Sequence, residues 1–329
     1  MLGRRWWAFW VAVSLGFAGA ASFAGPAAAQ AGWPDRPLKI ILGFPAGSGV
    51  DIVTRLVADK LSRDLKQPVV VEPHAGAGGN VGTGIAAKAP PDGYNFYMGT
   101  TGTQVASTAL YHDLPFDPRR DFAPITPVCD VPHILIVPNS LPVHTLQEFI
   151  AYLRANPGKV NYASSGNGSA MHLTTEQFKV AAHVELIHVP YRVSTQAVAD
   201  LISGQVQAMM HQVPAVIGQV HSGLFRSIAV TSARRLPALP EIPTFSESGM
   251  PGFESSTWMG LFAPAGTPQT VIDRMNRDLV AAIKGELGPK LAALGTVPRG
   301  STPQAFKAEI DSEVVKWSKI IQAAHIKLD

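Results

Sequence analysis

The chain has 329 residues, with 27 basic and 24 acidic side chains and one cysteine. That length is enough for two lobes, each with its own core. The lack of a basic stripe or of interleaved basic and aromatic residues argues against a nucleic-acid partner. Cys129, being alone, cannot close an intrachain disulfide and is expected to be buried and inert.

Residues 1–29 read as a secretory signal peptide. Arg4 and Arg5 form the charged start, Trp6 to Ala21 the apolar stretch, and Ala27 to Ala29 the small-residue cleavage site, so the mature chain begins at Gln30. A retained membrane anchor is the alternative, but the apolar run is short and broken by glycine. The arginine pair suggests twin-arginine export, yet its flanks fit general secretion better. No cysteine follows the cleavage site to carry a lipid. Taking the segment's two arginines from the 27 basic residues leaves 25 against 24 acidic, so the mature chain is close to neutral.

Next come Leu38–Gly43, an apolar strand, and Val50–Leu65, a helix with Val53, Leu56, Val57, Leu61 and Leu65 on one face. The spacing predicts a strand at Pro68–Glu72, a helix at Asn80–Lys88 stopped by two prolines, and a strand at Tyr94–Gly99. A second series begins with strand His133–Val137, helix Thr145–Asn156 with Thr145 and Glu148 as a capping box, strand Asn161–Ser164 and helix Met171–Ala181. Further strands are expected at Glu185–Val189, Val206–Met210, Arg226–Thr231 and Trp258–Ala263, with helices at Thr195–Ser203, Pro268–Lys284 and Pro303–Ala324. This alternation predicts an α/β fold with a largely parallel sheet covered on both faces. Two series and then a returning tail suggest a hinged clamp. Lobe one would be 33–131 plus 257–329 and lobe two 132–256, crossing near Val131 and Trp258.

Two glycine-rich turns carry the most information: GFPAGSG after the first strand and HAGAGG after the second. A glycine turn that opens a helix leaves several backbone N–H groups unpaired at the positive end of the helix dipole, which suits an anion. Either turn alone could be a tight loop; two of them at the carboxyl ends of neighbouring strands, where ligands of such sheets sit, point to a carboxylate or phosphate. A third polar turn, SSGNGS, begins the corresponding helix of the second series.

Enzyme signatures are weak. No histidine spacing matches a metal site, and His183, His188 and His221 read as surface or satisfied core residues. SSGNGS lacks the G-x-S-x-G elbow, no Lys-Ser or Lys-Thr follows either glycine turn, and Gly76, Gly78 and Gly82 are spaced too widely for a dinucleotide fingerprint. Neither a cofactor nor a metal is expected. Arg192 is the best side-chain candidate for pairing with a carboxylate, with Tyr191 beside it as an aromatic wall; its alternative is an ordinary surface arginine. Trp258 is expected to pack at the hinge.

The segments WPDRPLKIILGFPAGSGVD, QPVVVEPHAGAGGNVGT, AKAPPDGY, LPFDPRRDFAPI, ANPGKVNYASSGNGSAMHL, HVPYR, SGQVQAM, SIAVTSARRLPALPEIPTFSESG and WMGLFAPAGTP succeed one another over nearly the whole mature chain. In this order they resemble the Bug-type extracytoplasmic solute receptors of the tripartite tricarboxylate transporters. The resemblance implies a two-lobed type II periplasmic binding fold, not an enzyme, that closes on a small organic carboxylate. It also implies transporter membrane subunits as partners. In this chain the carboxylate would meet Phe44, Ala46, Ser48 and Asp51 in the first turn and Ala77, Gly78 and Gly79 in the second. The second lobe would add Ser164, Ser165, Ser169, Tyr191, Arg192 and the segment around His211. Asp51 would order the turn or hold a water, since like charges repel. The chain departs from the family pattern at Ser48, which replaces a glycine, at Val193, which stiffens its loop, and at His211, which adds a titratable donor. A sensor for a membrane histidine kinase shares all these features, and an exported small-ester hydrolase is the alternative of a different class.

Overall fold

The computed structural model describes residues 32–323, apart from His112 and Arg192. The expected signal peptide and Arg192 therefore lie outside the described residues. The chain divides into two units, Met1–Asp35 and Arg36–Asp329, and the second carries the sheet and its helices.

This unit opens on β1 (Leu38–Leu42), whose apolar side chains are almost all buried, and turns into α1 (Gly49–Leu65). β2 (Val69–Pro73), α2 (Asn80–Ala87) and β3 (Asn95–Thr100) come next, with β1 between β2 and β3 in parallel. A π-helical turn at Gly102–Ala106 leads into the short α3 (Ser107–Leu110).

β4 runs over 16 residues, Phe122–Val137, where the sequence suggested a strand only from His133. Pro124, Pro127 and Pro132 hid its first part, since proline cannot donate to a ladder. The strand accommodates two of them at register shifts, between Pro124 and Thr126 and between Pro127 and Cys129. β4 then serves two half-sheets. Its first part pairs with β9 (Ser256–Pro264) and β10 (Val297–Pro298), and its last part with β7 (Ala208–Gln212) and β8 (Arg226–Val230).

Between these come α4 (Leu146–Ala155), β5 (Asn161–Ser164), α5 (Ala170–Ala182), β6 (Ile187–Pro190), α6 (Ser194–Ile202) and α7 (Val213–His221). Thr145 caps α4 as expected, accepting from the Glu148 N–H at 3.1 Å, while the Glu148 carboxylate accepts from the N–H of His144. α7 was not legible as a helix, although the Pro214 that disguises it sits in the first turn, where proline is compatible with a helix. The tail supplies α8 (Gln269–Ala282), α9 (Gly288–Ala293) and α10 (Pro303–Ala323).

The strand order is β2-β1-β3-β9-β4-β7-β5-β6. The outer trios β2-β1-β3 and β7-β5-β6 are parallel, as the alternation predicted, but β9 and β4 between them run antiparallel to their neighbours. Each half-sheet has an aromatic core. Tyr97, Phe122, Trp258, Phe262 and Phe306 fill the first, and Phe149, Phe178, Phe245 and Phe253 the second. Trp258 is 2% exposed, stands edge-on to Phe306 at 5.0 Å and donates its Nε1–H to Glu313. Cys129 is fully buried, and burial pushes its thiol up to about 12.

Candidate functional site

Each parallel trio delivers its glycine turns to the same place. After β1 the chain passes Gly43 to Ser48 and enters α1. Ser48 caps that helix, accepting from the Asp51 N–H at 3.2 Å, and Asp51 reaches back to accept from the Gly47 N–H at 2.9 Å. The Asp51 carboxylate is 3% exposed and also pairs with Arg55, so it braces the turn from behind. After β2, Gly76, Ala77, Gly78 and Gly79 all adopt positive φ, which turns their backbone sharply into α2. The two turns touch through bare backbone: a Cβ on Gly43 would lie 2.1 Å from the Gly79 carbonyl oxygen, a separation only glycine permits.

The second half-sheet mirrors this with Ser164–Ser169. Gly166 and Gly168 take positive φ, and Ser169 caps α5 by accepting from the His172 N–H at 3.3 Å. The turn rests on imidazoles. The Gly168 N–H donates to His172 Nδ1 at 3.1 Å; the His172 ring stacks on that of His188 at 4.2 Å, and His188 stacks in turn on Tyr162. Two cations at that separation would repel, and burial lowers both histidines, His188 to about 4, so the stack is neutral.

Between the two sets of turns lies a cleft of about 690 Å³. Of the residues proposed from sequence, Phe44, Ser48, Ala77, Gly78, Gly79, Ser165, Ser169, Tyr191 and His211 line it. Ala46, Asp51 and Ser164 do not. Ser164 is fully buried, accepts from the Gly166 N–H at 3.1 Å and contacts His188 Nε2 at 2.6 Å. A serine beside a histidine is the start of a hydrolase site, but this hydroxyl is fully buried and does not line the cleft. Tyr191 lines the cleft but donates its hydroxyl proton to Asp200 at 2.7 Å; burial first, and Asp200 second, raise its pKa to about 12.

Sequence reasoning missed Tyr111, Asn167, Ser194 and Thr257, which also line the cleft. Asn167 lay inside a turn already singled out, whereas Tyr111 and Thr257 are brought in by tertiary folding and carried no local signal. Gln212, next to the suspected His211, faces Gly49 at the opening of α1; a Cβ on Gly49 would stand 2.8 Å from Gln212 Oε1. Gly78 likewise faces Asn167, whose carbonyl oxygen would be 3.5 Å from an added Cβ. Turns from the two half-sheets therefore meet across the cleft.

Among the described residues no Asp, Glu, Lys or Arg lines the cleft. Its polarity comes from backbone, hydroxyls and helix ends. Helices α1, α2, α5, α6 and α7 all begin at residues that line it or directly follow one that does. Such ends present unpaired N–H groups and partial positive charge. Ser48 and Ser169 accept from their own helices, so their hydroxyl protons remain to be donated elsewhere.

Two α/β halves joined through shared strands, with a neutral, donor-rich cleft between their turns, form the architecture of a two-lobed solute-binding protein. The comparisons with known proteins agree. The profile of the "Tripartite tricarboxylate transporter family receptor" matches residues 53–326. Protein BugT of Bordetella pertussis is 34% identical over 314 residues, covering 95% of this chain and 96% of BugT. A UPF0065 protein from the tcbD–tcbE intergenic region of Pseudomonas sp. strain P51 is 38% identical, covering 88% of this chain and 86% of the relative. Among solved structures, R. palustris Rpa4515 with adipate superposes with a TM-score of 0.87 at 34% identity over 90% of this chain and 100% of Rpa4515. The periplasmic binding protein BugD gives 0.83 at 34% identity, with the same two coverages of 90% and 100%. MatC of Rhodopseudomonas palustris with bound malate gives 0.80 at 28% identity, over 88% of this chain and 100% of MatC. The chain belongs to the tripartite tricarboxylate transporter receptor family and is a periplasmic-type solute-binding protein.

Proposed function

We propose that this protein is an exported receptor that captures a small organic carboxylate between its lobes and delivers it to the membrane subunits of a tripartite tricarboxylate-type transporter. The observation that carries this reading is the convergence of helix N-termini from both half-sheets on one cleft that, among the described residues, has no charged side chain. Fixed N–H donors and partial charges replace the water of an anion without an acid–base partner. Adipate in Rpa4515 and malate in MatC fit the same class of cargo.

In this reading the turns at Phe44–Ser48 and Ala77–Gly79 hold one carboxylate. Lobe two, residues 132–256, reads the remainder and swings about the place where β4 and β9 cross between the half-sheets. Closure requires that the ligand bind the closed form better than the open one. Export is argued from the signal-like start, and among the described residues no helix is long and apolar enough to cross a membrane. The partner is argued from the family alone.

The test is a thermal-shift series of the chain from Gln30 against aliphatic and aromatic mono- and dicarboxylates, with native mass spectrometry of the loaded protein. A receptor gains melting temperature with ligand concentration and returns the molecule unchanged. Conversion of the added compound, or no shift with any carboxylate, overturns the proposal.

A further inference from the structure

His211 lies at the second-lobe side of the cleft, on β7, 3% exposed and beside Ser194, the first residue of α6. Its Nδ1 is 3.2 Å from the Gln212 carbonyl oxygen, and its Nε2 is 3.2 Å from Ser194 Oγ. A carbonyl oxygen has no proton to give, so Nδ1–H must be the donor in that contact. A neutral imidazole carries one proton only. Nε2 is then a bare lone pair, and the Ser194 hydroxyl donates to it. With its proton committed, Ser194 Oγ offers the cleft only lone pairs. Ser48 and Ser169, whose protons remain free, have the opposite polarity.

Burial keeps the ring neutral, holding its pKa down at about 4. Strand β7 is packed by β4, β5, α5 and α7, and Ser194 belongs to α6. The titratable groups on these elements are mostly held in pairs of their own: Asp130 with Arg299, Tyr162 with Glu176, Glu176 with Lys179, and Asp200 with Tyr191. His172 and His188 are stacked under the second-lobe turn, Cys129 is a buried thiol, and His221 is exposed at the far end of α7. His133 on β4 is close enough for His211 to lower its pKa, and burial, the larger cause, holds it neutral as well, at about 3.

Resting on the carboxylate reading above, we propose that the His211–Ser194 pair reads the far end of the ligand by proton coupling. As it stands, the pair accepts a hydrogen bond from a neutral hydroxyl or amide; a second carboxylate enters only together with one proton. A carboxylate against Ser194 Oγ sets lone pairs against lone pairs, and the poorly solvated site magnifies the repulsion. One proton from solvent removes it. Placed on Nε2, it reverses the inner hydrogen bond: the imidazolium donates to Ser194 Oγ, and the serine hydroxyl donates to the carboxylate. Placed on the ligand, it lets the carboxylic acid donate to Ser194. Either route binds one proton per dianion.

The experiment is titration calorimetry of the chain from Gln30 at pH 6, 7 and 8, in buffers of different ionisation enthalpy. The probes are succinate, glutarate, adipate and terephthalate, each beside its hydroxy acid counterpart, ending with 4-hydroxybenzoate. Hydroxy acids should bind with buffer-independent heat and a flat pH profile. Diacids should take up close to one proton at pH 6 and weaken about tenfold per pH unit above it. Binding of hydroxy acids alone supports the proposal equally. His211→Gln places a permanent N–H donor beside Ser194, and should bind diacids without proton uptake. A diacid bound by the natural protein with buffer-independent heat and pH-independent affinity overturns the coupling while leaving the carboxylate reading intact. No binding of any probe at any pH removes both.

Discussion

Replacing Gly49 by alanine should separate folding from closure. Gly49 is the first residue of α1, on the first half-sheet, and Gln212 ends β7 on the second. The added Cβ would lie 2.8 Å from Gln212 Oε1 and 3.3 Å from Gln212 Cβ. Ordinary contact begins near 3.4 Å, so the glutamine must shift from the position it holds in this structure, which on the proposed reading is a contact made on closure. Oε1 is the far end of a flexible side chain and can swing away cheaply, whereas Cβ must give by a few tenths of an ångström, so the cost sits at the low end of overpacking, about 1 kcal/mol or roughly a 5-fold loss of affinity. The same substitution favours the helix itself by up to about 1 kcal/mol, since alanine gives up less chain entropy than glycine. Gly49→Ala should therefore unfold at an unchanged or higher temperature without ligand, yet bind its carboxylate more weakly. Adding Gln212→Ala removes the obstacle, so the double variant should bind better than the two single losses predict. Calorimetry for affinity and thermal unfolding of the free protein read the two effects apart. Unchanged affinity in Gly49→Ala, or strictly additive losses in the double variant, would refute the idea that these residues meet during closure.

The same geometry predicts two further outcomes. Acid should destabilise the fold through its buried imidazoles: His133 and His211 are held at about 3 and about 4, whereas both bind protons below about 6.5 when unfolded. The unfolded chain takes up more protons in that window, so stability falls as pH drops from about 6.5 towards 4, by up to roughly 2.8 kcal/mol per pH unit for the pair. Urea unfolding at pH 7, 6 and 5 measures this; a flat profile contradicts it, and because His172 and His188 are lowered too and add to the slope, His211→Gln should remove only its own share, at most about 1.4 kcal/mol per pH unit. Ser169→Ala removes the cap of α5 and a hydroxyl from the cleft together, with an expected loss of about 1 kcal/mol of stability and weaker ligand binding. No change in either thermal unfolding or calorimetry would show that this hydroxyl does neither job.

The parts of the site that are local in sequence were legible. A glycine turn that opens a helix can be read from ten residues, and the turns after β1, β2 and β5 lie where the strand ends were expected. What could not be read depends on distance along the chain. Asp51 could be placed beside the first turn, but only the fold shows it accepting from Gly47 rather than facing the cleft. Ser164 was grouped with Ser165 and Ser169, yet a histidine 24 positions away captures its hydroxyl. Tyr191 is legible as a residue beside the cleft, but only the fold shows that its hydroxyl proton goes to Asp200, nine residues later. β4 was half hidden because three prolines argue against a central strand unless the register shifts that absorb two of them are known.

The cleft's donors are largely main-chain, and this separates what can vary from what cannot. A substitution deletes a side chain but not the N–H groups at the start of a helix, so on the proposed reading a mutation at Tyr191, Ser194, His211 or Gln212 would alter contacts to the ligand's far end while the glycine turns proposed to seat the anion persist. If the proposed cargo is right, such a scaffold would drift from one acid to another by single steps, without passing through a protein that binds none. The vulnerable positions are those with no side chain to lose, such as Gly43, where even a methyl group would push the two turns apart.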